Sequence, residues 1–261
     1  MNWQTVYHSS DGCVVWCGKT PKDIEELTSF IQGPVASRLN DEEDSHDLTR
    51  CLSGLSLTDM GEEALKDVLE AEVPETRPWA IGEALAEVML EEEYGVVFPW
   101  NMERDKRNPF ASLPGADIVG FQQKEDNVYL VFGEVKTSSD TQSPPQVMYG
   151  RSGMIHQIDN LANNLSTVFQ LVKWLFVRVK NTEYEENFRS AMTLYLNSGK
   201  QAISLFGILI RDQDAQESDL RSRAESLATI LDTPTLCSLI AIYLPWSIDR
   251  LPEFVDQGRA V

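Results

Sequence analysis

The segment from Pro114 to Asp140 constrains the fold of this chain more than any other. It contains two apolar stretches, PGADIVGF and VYLVFGEVKTSSD, which a six-residue polar stretch separates. Two such stretches around a short polar turn are typical of a β-hairpin. Three charged side chains, Asp117, Glu134 and Lys136, interrupt them. The fold must therefore accommodate two carboxylates and an ammonium group at one end of a hairpin.

A turn at residues 124–127 fixes the register of this hairpin. In that register Asp117 faces Glu134, and the two-residue period of a strand puts Lys136 on the same side as Glu134. Side chains that face each other have Cβ atoms about 4.5–5.5 Å apart, and like charges at that distance are destabilising. A divalent cation between the carboxylates offsets the repulsion, and oxygen ligands suit Mg²⁺. The hairpin therefore predicts a magnesium site.

The remaining segments alternate between helical and strand patterns. The clearest helix is RPWAIGEALAEVMLEEEYG, in which Pro78 suits the first helical position and Gly95 the end. The polar connector at residues 137–153 favours a functional or a flexible loop. We expect a long helix over residues 154–179 and another over 182–198, followed by strand, helix and strand. This order predicts an α/β fold, a central sheet with helices on both faces.

The acidity of the chain is concentrated near its beginning. The net charge is −19; residues 1–95 carry 6 basic and 21 acidic residues, whereas residues 96–261 carry only −4. We expect residues 1–75 to form an acidic accessory region, in which NDEEDSHD is a solvated loop, and residues 76–261 to form the core. An anionic surface repels phosphates, so tight binding of nucleic acid by the isolated chain is not expected. The charge fits either solubility or a basic partner protein.

Composition also indicates the compartment and excludes several kinds of site. The apolar run LVKWLFVRV contains two basic residues, and the N-terminal stretch lacks the pattern of a secretory signal. The GKT at residues 18–20 lacks the first glycine of a phosphate-binding loop, because Cys13 occupies that position. The four scattered cysteines indicate reduced thiols rather than disulfides or zinc ligands. We therefore expect a cytoplasmic protein with no membrane association and no ATP site of its own.

The hairpin residues resemble the PD-(D/E)XK nuclease superfamily. Its pattern is an acidic residue at the start of one core strand and Glu-x-Lys on the next, and GAD and GEVK match it. Pro114 precedes Gly115 here, in place of a proline directly before the acidic residue. The resemblance implies a restriction-endonuclease-like central mixed sheet flanked by helices. It also implies Mg²⁺, with Mn²⁺ as an alternative, held by Asp117, Glu134 and the carbonyl of Val135.

The resemblance also implies roles for a lysine and for two flanking helices. Lys136 would orient the attacking water or stabilise the transition state. Many members add a glutamate from the preceding helix as a further metal ligand, and Glu83 has that place, with Glu87 one turn later as the other candidate. Several branches add a catalytic glutamine from the helix after the lysine strand, where Gln157 lies. The plainer alternatives are solvated helix faces and, for the hairpin, an exposed ion pair at a strand end.

A closer resemblance is to the nuclease component of Hachiman-type anti-phage systems. It rests on RPWAIGEALAE, PGADIVGF, GEVK, a long glutamine-bearing helix and the IAIYLP strand. It implies a DNA substrate and a superfamily 2 helicase partner, which restrains the nuclease until foreign or damaged DNA is engaged. The sequence thus predicts a Mg²⁺-dependent deoxyribonuclease. The alternative is a non-catalytic acidic subunit, either a regulatory interaction protein or a DNA mimic.

Overall fold

The structure, a computed structural model, describes residues 1–55, 57–71, 75–106 and 115–259, without the side chain of Arg259. Its strands are β1 (Trp3–Asp11), β2 (Val14–Pro21), β3 (Val96–Val97), β4 (Ile118–Lys124), β5 (Asn127–Ser138), β6 (Ile203–Arg211) and β7 (Leu236–Tyr243). Its α-helices are α1 (Ile24–Phe30), α2 (Ala36–Asn40), α3 (Glu42–Ser53), α4 (Asp59–Glu70), α5 (Pro78–Tyr94), α6 (Met102–Asp105), α7 (Met154–Asn163), α8 (Leu165–Val179), α9 (Glu185–Asn197), α10 (Arg221–Ala228) and α11 (Leu251–Arg259). Across these described ranges, no helix is both long enough and apolar enough to cross a membrane.

The seven strands form one sheet in the order β1-β2-β7-β6-β5-β4-β3. The middle of the sheet is parallel, since β7 lies between β2 and β6, and β6 pairs with β5, all in the same direction. The outer pairs β1–β2, β5–β4 and β4–β3 are antiparallel. This confirms the prediction of an α/β fold with a central mixed sheet flanked by helices.

Alternation along the strands separates two hydrophobic cores. On β5, Val131 and Val135 pack on one face with α1, α5 and α11. Leu130 and Phe132 pack on the opposite face with α7, α8, α9 and α10. Successive strand side chains point to opposite faces, and parallel strands covered on both faces are apolar throughout. The nine residues of β6, all buried, show this pattern most clearly.

The beginning of the acidic N-terminal region is part of the sheet. β1 and β2 supply two of its seven strands, and Trp3 is buried in the same core as α5. β1 forms one edge, is mostly exposed, and has a register shift between Thr5 and Tyr7. α3 and α4 differ from this part, because no residue of either helix is buried.

The expectation of a solvated loop at NDEEDSHD was wrong, because α3 begins within it. Asp41 adopts a left-handed backbone conformation with φ 48° and separates α2 from α3. Glu42, Glu43 and Asp44 then occupy the first turn of α3. Negative side chains are favourable at the positive N-terminal end of a helix dipole. The same acidic residues that suggested a loop therefore suit the start of a helix.

The long helix expected over residues 154–179 is two helices, α7 and α8. Asn164 separates them in an extended conformation, and its side chain accepts hydrogen bonds from the backbone N–H groups of Ser166 and Thr167. Asparagine is among the strongest N-cap residues. The apolar pattern continues through this position and concealed the break.

The connector between β5 and α7 is held by a buried ion pair. Arg211 and Asp219 are each 1% exposed, and Arg211 Nη1 donates to Asp219 Oδ1 over 2.7 Å. The guanidinium also donates to the backbone oxygens of Asp140 and Gln142, and Ser143 Oγ donates to Asp219 Oδ1. A buried pair is stable only when further hydrogen bonds satisfy its remaining polar atoms. The connector supplies several of those bonds, although Arg211 Nε has no hydrogen-bond partner among the described residues, and these bonds anchor the connector to the ion pair.

The close approach of α5 to β5 depends on a glycine. A Cβ atom on Gly82 would lie 2.3 Å from Thr137 Oγ1 and 3.2 Å from Ile210 Cδ1. Thr137 Oγ1 is buried and has no hydrogen-bond partner among the described residues. The absence of a side chain at residue 82 therefore sets how near α5 comes to the end of β5.

We expect Gly82→Ala to lower the stability of the chain by about 1–3 kcal/mol, the usual cost of overpacking a core. The better helix propensity of alanine offsets part of this cost. The measurement is thermal unfolding by circular dichroism. Gly33→Ala is the control, because nothing lies within 4 Å of a Cβ there.

The double variant Gly82→Ala/Thr137→Ala should recover most of the loss, because it removes the hydroxyl that the new methyl group meets. The remaining Thr137 Cβ would lie 3.6 Å from the new methyl group, an ordinary contact distance. An equal loss of stability in the single and the double variant would show that this contact does not limit the approach of α5.

Candidate active site

The first half of the site is the open end of the β4–β5 hairpin. Ile118 pairs with Gly133, which is the register that the sequence predicted. Asp117 comes immediately before β4, and its Oδ2 accepts a 2.9 Å hydrogen bond from Val135 N–H. The register of the hairpin, continued by one residue, places Asp117 opposite Glu134. The two carboxyl groups therefore lie next to each other at the open end of the hairpin.

Burial and mutual repulsion disfavour the charged forms of these two groups. Burial raises the pKa of Asp117, against the opposing effects of Val135 N–H and the Lys136 ammonium. Burial and the charge of Asp117 raise the pKa of Glu134 to about 7. Two carboxyl groups that share one site cannot both ionise at their usual pKa.

Lys136 is the one ammonium group of the predicted set, and it lies next to Glu134. Lys136 Nζ donates to Glu134 Oε1 in an ion pair. The two side chains share one side of β5 because two residues separate them. Lys136 is more exposed than Glu134, with 22% against 8% of the side chain accessible. The Lys136 ammonium group is therefore bound to the Glu134 carboxylate and partly accessible to solvent.

Helix α5 brings a third carboxyl group to the same region. Burial raises the pKa of Glu83 to about 9, and the charges of Asp117, Glu87 and Glu134 contribute to that rise, whereas Lys136 lowers it. These electrostatic effects show that Glu83 lies near the hairpin carboxylates. The helix begins at Pro78, as predicted, and Gly82 allows its close approach.

Glu87, the other candidate on α5, has its own cationic partner, which the sequence did not reveal. It is buried, and Arg38 Nη1 lies 3.7 Å from its Oε2. Burial raises its pKa to about 8 although Arg38 opposes the shift. Arg38 also pairs with Glu91, one turn further along α5. Nothing in the local sequence of α2 marks Arg38 as a partner of α5, since the contact joins residues far apart in the chain.

A cavity lies against this acidic face of α5. It is lined by Arg38, Leu39, Glu75, Ala80, Glu83, Ala84, Glu87, Trp100, Met102, Glu103 and Lys106. Several of its charged residues are paired: Lys106 Nζ contacts both Glu75 and Glu103, and Arg77 also pairs with Glu75. The environment of Glu83 is thus more enclosed and more charged than a solvated helix face.

The two remaining predictions are not brought to the carboxyl groups by any described contact. Gln157 lies in the first turns of α7, and its Nε2 donates to the backbone oxygen of Arg151 over 3.2 Å. Its catalytic role stays a prediction. Pro114, part of the quoted motif, lies outside the described residues.

The donor set fits a hard divalent cation with a partly aqueous shell. Across the described residues, no three His, Cys, Asp or Glu side chains form a ready metal cluster. Mg²⁺, however, is usually bound by only one or two carboxylates and keeps several waters. Asp117 and Glu134 meet that requirement, because they are adjacent and a cation between them would offset the repulsion that raises the pKa of Glu134. Metal binding and the loss of a carboxyl proton are coupled.

The comparison with protein families decides the membership of the chain. A model of the HamA family matches residues 13–148, which is more than half of the chain. This chain belongs to the HamA family. HamA is the Hachiman defence family, so the chain is a component of an anti-phage defence complex and has a partner there. No curated protein sequence matches it.

The HamA match includes most of the residues of the candidate site. It extends from β2 through α5 and the β4–β5 hairpin to residue 148. Glu83, Asp117, Glu134 and Lys136 all lie inside it, whereas Gln157 lies beyond its end. The group of ionisable side chains is therefore within the part that makes this chain a HamA protein.

We expect the metal-free chain to lose stability as the pH rises from about 5 to about 9. The folded chain holds protons on Glu83, Glu87 and Glu134 at pH values where the unfolded chain, with a usual pKa of 4.5, has lost them. The free energy of unfolding falls with pH wherever the folded state binds more protons. Thermal unfolding in EDTA at pH values of about 5, 7 and 9 measures the slope.

Glu83→Gln should flatten this slope, because it removes the carboxyl group with the highest of the three pKa values. Glu62→Gln, on the exposed surface of α4, is the matched control and should keep the slope of the unaltered chain. A slope that is the same in all three proteins would contradict the assigned proton on Glu83.

Proposed function

We propose that this HamA protein is the nuclease of its defence complex, and that it hydrolyses DNA phosphodiester bonds with Mg²⁺, or alternatively Mn²⁺. One observation carries the proposal: two adjacent carboxyl groups and an ammonium group lie together at the open end of a buried hairpin. Charged groups with strongly shifted pKa values cluster at functional sites more than elsewhere. The resemblance of GAD and GEVK to the PD-(D/E)XK pattern supports the same function.

The cation, when bound, supplies charge stabilisation of the phosphate and a water of lowered pKa. The other tasks fall to side chains of this chain. Asp117 and Glu134 provide the oxygen donors, with the Val135 carbonyl beside them. The Val135 N–H fixes the orientation of Asp117, because it already holds Oδ2 at 2.9 Å. Glu83, whose raised pKa favours the protonated form, would hold a proton close to this pair or would add an oxygen ligand to the cation.

Lys136 acts on the reacting phosphate and water rather than on the metal. Its ammonium group is paired with Glu134 and partly exposed, so it can donate to a phosphate oxygen or to the attacking water. A fixed positive charge close to the charge that develops in the transition state is among the largest contributions to catalysis.

We also propose that the partner is a helicase that supplies DNA affinity and controls cleavage. This proposal is supported by the charge of the chain, because a net charge of −19 opposes binding to a polyanion. A basic partner surface removes that obstacle and limits cleavage to DNA that the partner has engaged. A cytoplasmic location fits this role and stays a prediction.

Lys136→Ala should lower Mg²⁺-dependent cleavage of plasmid DNA by the reconstituted complex about 10²–10³-fold, the usual effect of removing one stabilising donor. Lys124→Ala, an exposed lysine on the same hairpin, is the matched control and should cleave normally. Equal cleavage by both variants would end the nuclease assignment of Lys136. Absence of cleavage in the unaltered complex would favour the non-catalytic alternative.

Asp117→Asn should abolish the stabilisation of the isolated chain by Mg²⁺. A ligand that binds only the folded state adds about 2.7 kcal/mol at a hundred times its Kd. Asparagine keeps an oxygen that can accept from Val135 N–H but removes the negative charge. Calorimetric titration with MgCl₂ and thermal shift measure the effect. Asp126→Asn, in the exposed hairpin turn, should bind Mg²⁺ normally; identical binding by both variants would place the cation elsewhere.

A further inference from the structure

Helix α4 carries an apolar face of which no residue is buried in the described structure: Met60, Ala64 and Val68 are exposed, and Leu65 and Leu69 are half-buried. At about 100° per residue, its apolar side chains occupy one half of the helix surface and its charged side chains the other half. The apolar half consists of Met60, Ala64, Leu65, Val68 and Leu69. Met60 is 79% exposed and Val68 is 65% exposed.

A helix of this length needs a packing surface to be stable. Isolated helices shorter than about 12–15 residues are marginal in water, and most of the stability of a protein helix comes from burial of its apolar face. α4 has 12 residues, a good N-cap at Thr58, and no buried residue. Its local sequence is therefore built for a helix whose stabilising contacts lie outside the described chain.

The charge around this face specifies the chemistry of its partner. α3 and α4 together carry nine acidic and two basic residues. Both basic residues are already paired within their own helices, Arg50 with Asp47 and Lys66 with Glu70. The surface is thus apolar with an anionic border. It matches an apolar groove bordered by lysine and arginine, and complementary charge of this kind steers association and fixes orientation.

We propose that α4 is the element by which this HamA protein docks on its partner in the defence complex, and that the partner presents a basic-bordered apolar groove. Residues 60, 64 and 68 provide the spacing of a helix-in-groove contact. A second copy of the chain is a poor occupant, because two copies with a charge of −19 each repel one another. The proposal concerns assembly and does not depend on nuclease activity.

The test compares two exposed apolar positions of equal accessibility on different helices. Val68 on α4 and Phe169 on α8 are both 65% exposed, and substitution of either by aspartate adds one negative charge. The partner subunit of the same Hachiman complex is purified separately, and its Kd for each variant is measured by biolayer interferometry. We expect Val68→Asp to raise the Kd about tenfold or more, as for a central contact residue, and Phe169→Asp to leave it unchanged.

Four further outcomes are decisive. Val68→Asp should leave the thermal unfolding of the isolated chain unchanged, and the amides of residues 59–70 should gain hydrogen-exchange protection only in the complex. A loss of binding in Phe169→Asp but not in Val68→Asp would overturn the proposal and assign docking to α8. A concentration-dependent dimer of the isolated chain that Val68→Asp dissolves would overturn it in favour of self-association.

A charge-reversal variant tests the anionic border of α4 independently. Glu63 lies on the charged half of α4, so Glu63→Lys should weaken binding and reduce its dependence on NaCl, because one steering charge is reversed. Glu186→Lys, in the first turn of α9, is the control. Equal salt dependence in both variants would exclude the anionic border of α4 from the contact.

Discussion

The repulsion between Asp117 and Glu134 at the end of a buried hairpin is the constraint that the surrounding structure has to offset. The antiparallel register of β4 and β5 is fixed by seven paired positions, and continuing it by one residue places Asp117 against Glu134. Without compensation this contact is destabilising. A backbone N–H and an adjacent ammonium group each reduce the repulsion. The apolar layers on both faces of the sheet provide the remaining stability that lets the contact persist.

The hairpin and α5 could be predicted because local rules determine them. A short turn sets every pair of the register, and a proline at the start and a glycine at the end define the helix. The parts that failed depended on information outside the local pattern. The break at Asn164 is invisible to an apolar period that continues through it, and α3 begins inside an acidic run that composition alone assigns to a loop. Arg38 could not be assigned to Glu87, because their contact is tertiary.

The acidic residues of the chain form two groups, one buried and one solvated, which the net charge does not distinguish. Glu83, Glu87 and Glu134 are largely removed from water, where burial makes the charged form costly and raises the pKa of each. The carboxylates of α3 and α4 are solvated, and none of those helices' residues is buried. The first group has the properties expected of a chemical site, and the second those of a surface for another protein. A sum over the sequence, −19, combines them.

The irregular first strand has a consequence for solubility during assembly. β1 ends the sheet, so one side of its backbone offers unpaired N–H and C=O groups to any extended segment that approaches. The register shift between Thr5 and Tyr7 increases the local twist of β1. The side chains of residues 8–11, at the C-terminal end of β1, are polar. At the opposite margin β3 is only two residues long. The irregularity interrupts β1 and β3 is very short, so neither edge offers a long, regular strand on which a second copy of the chain could extend the sheet.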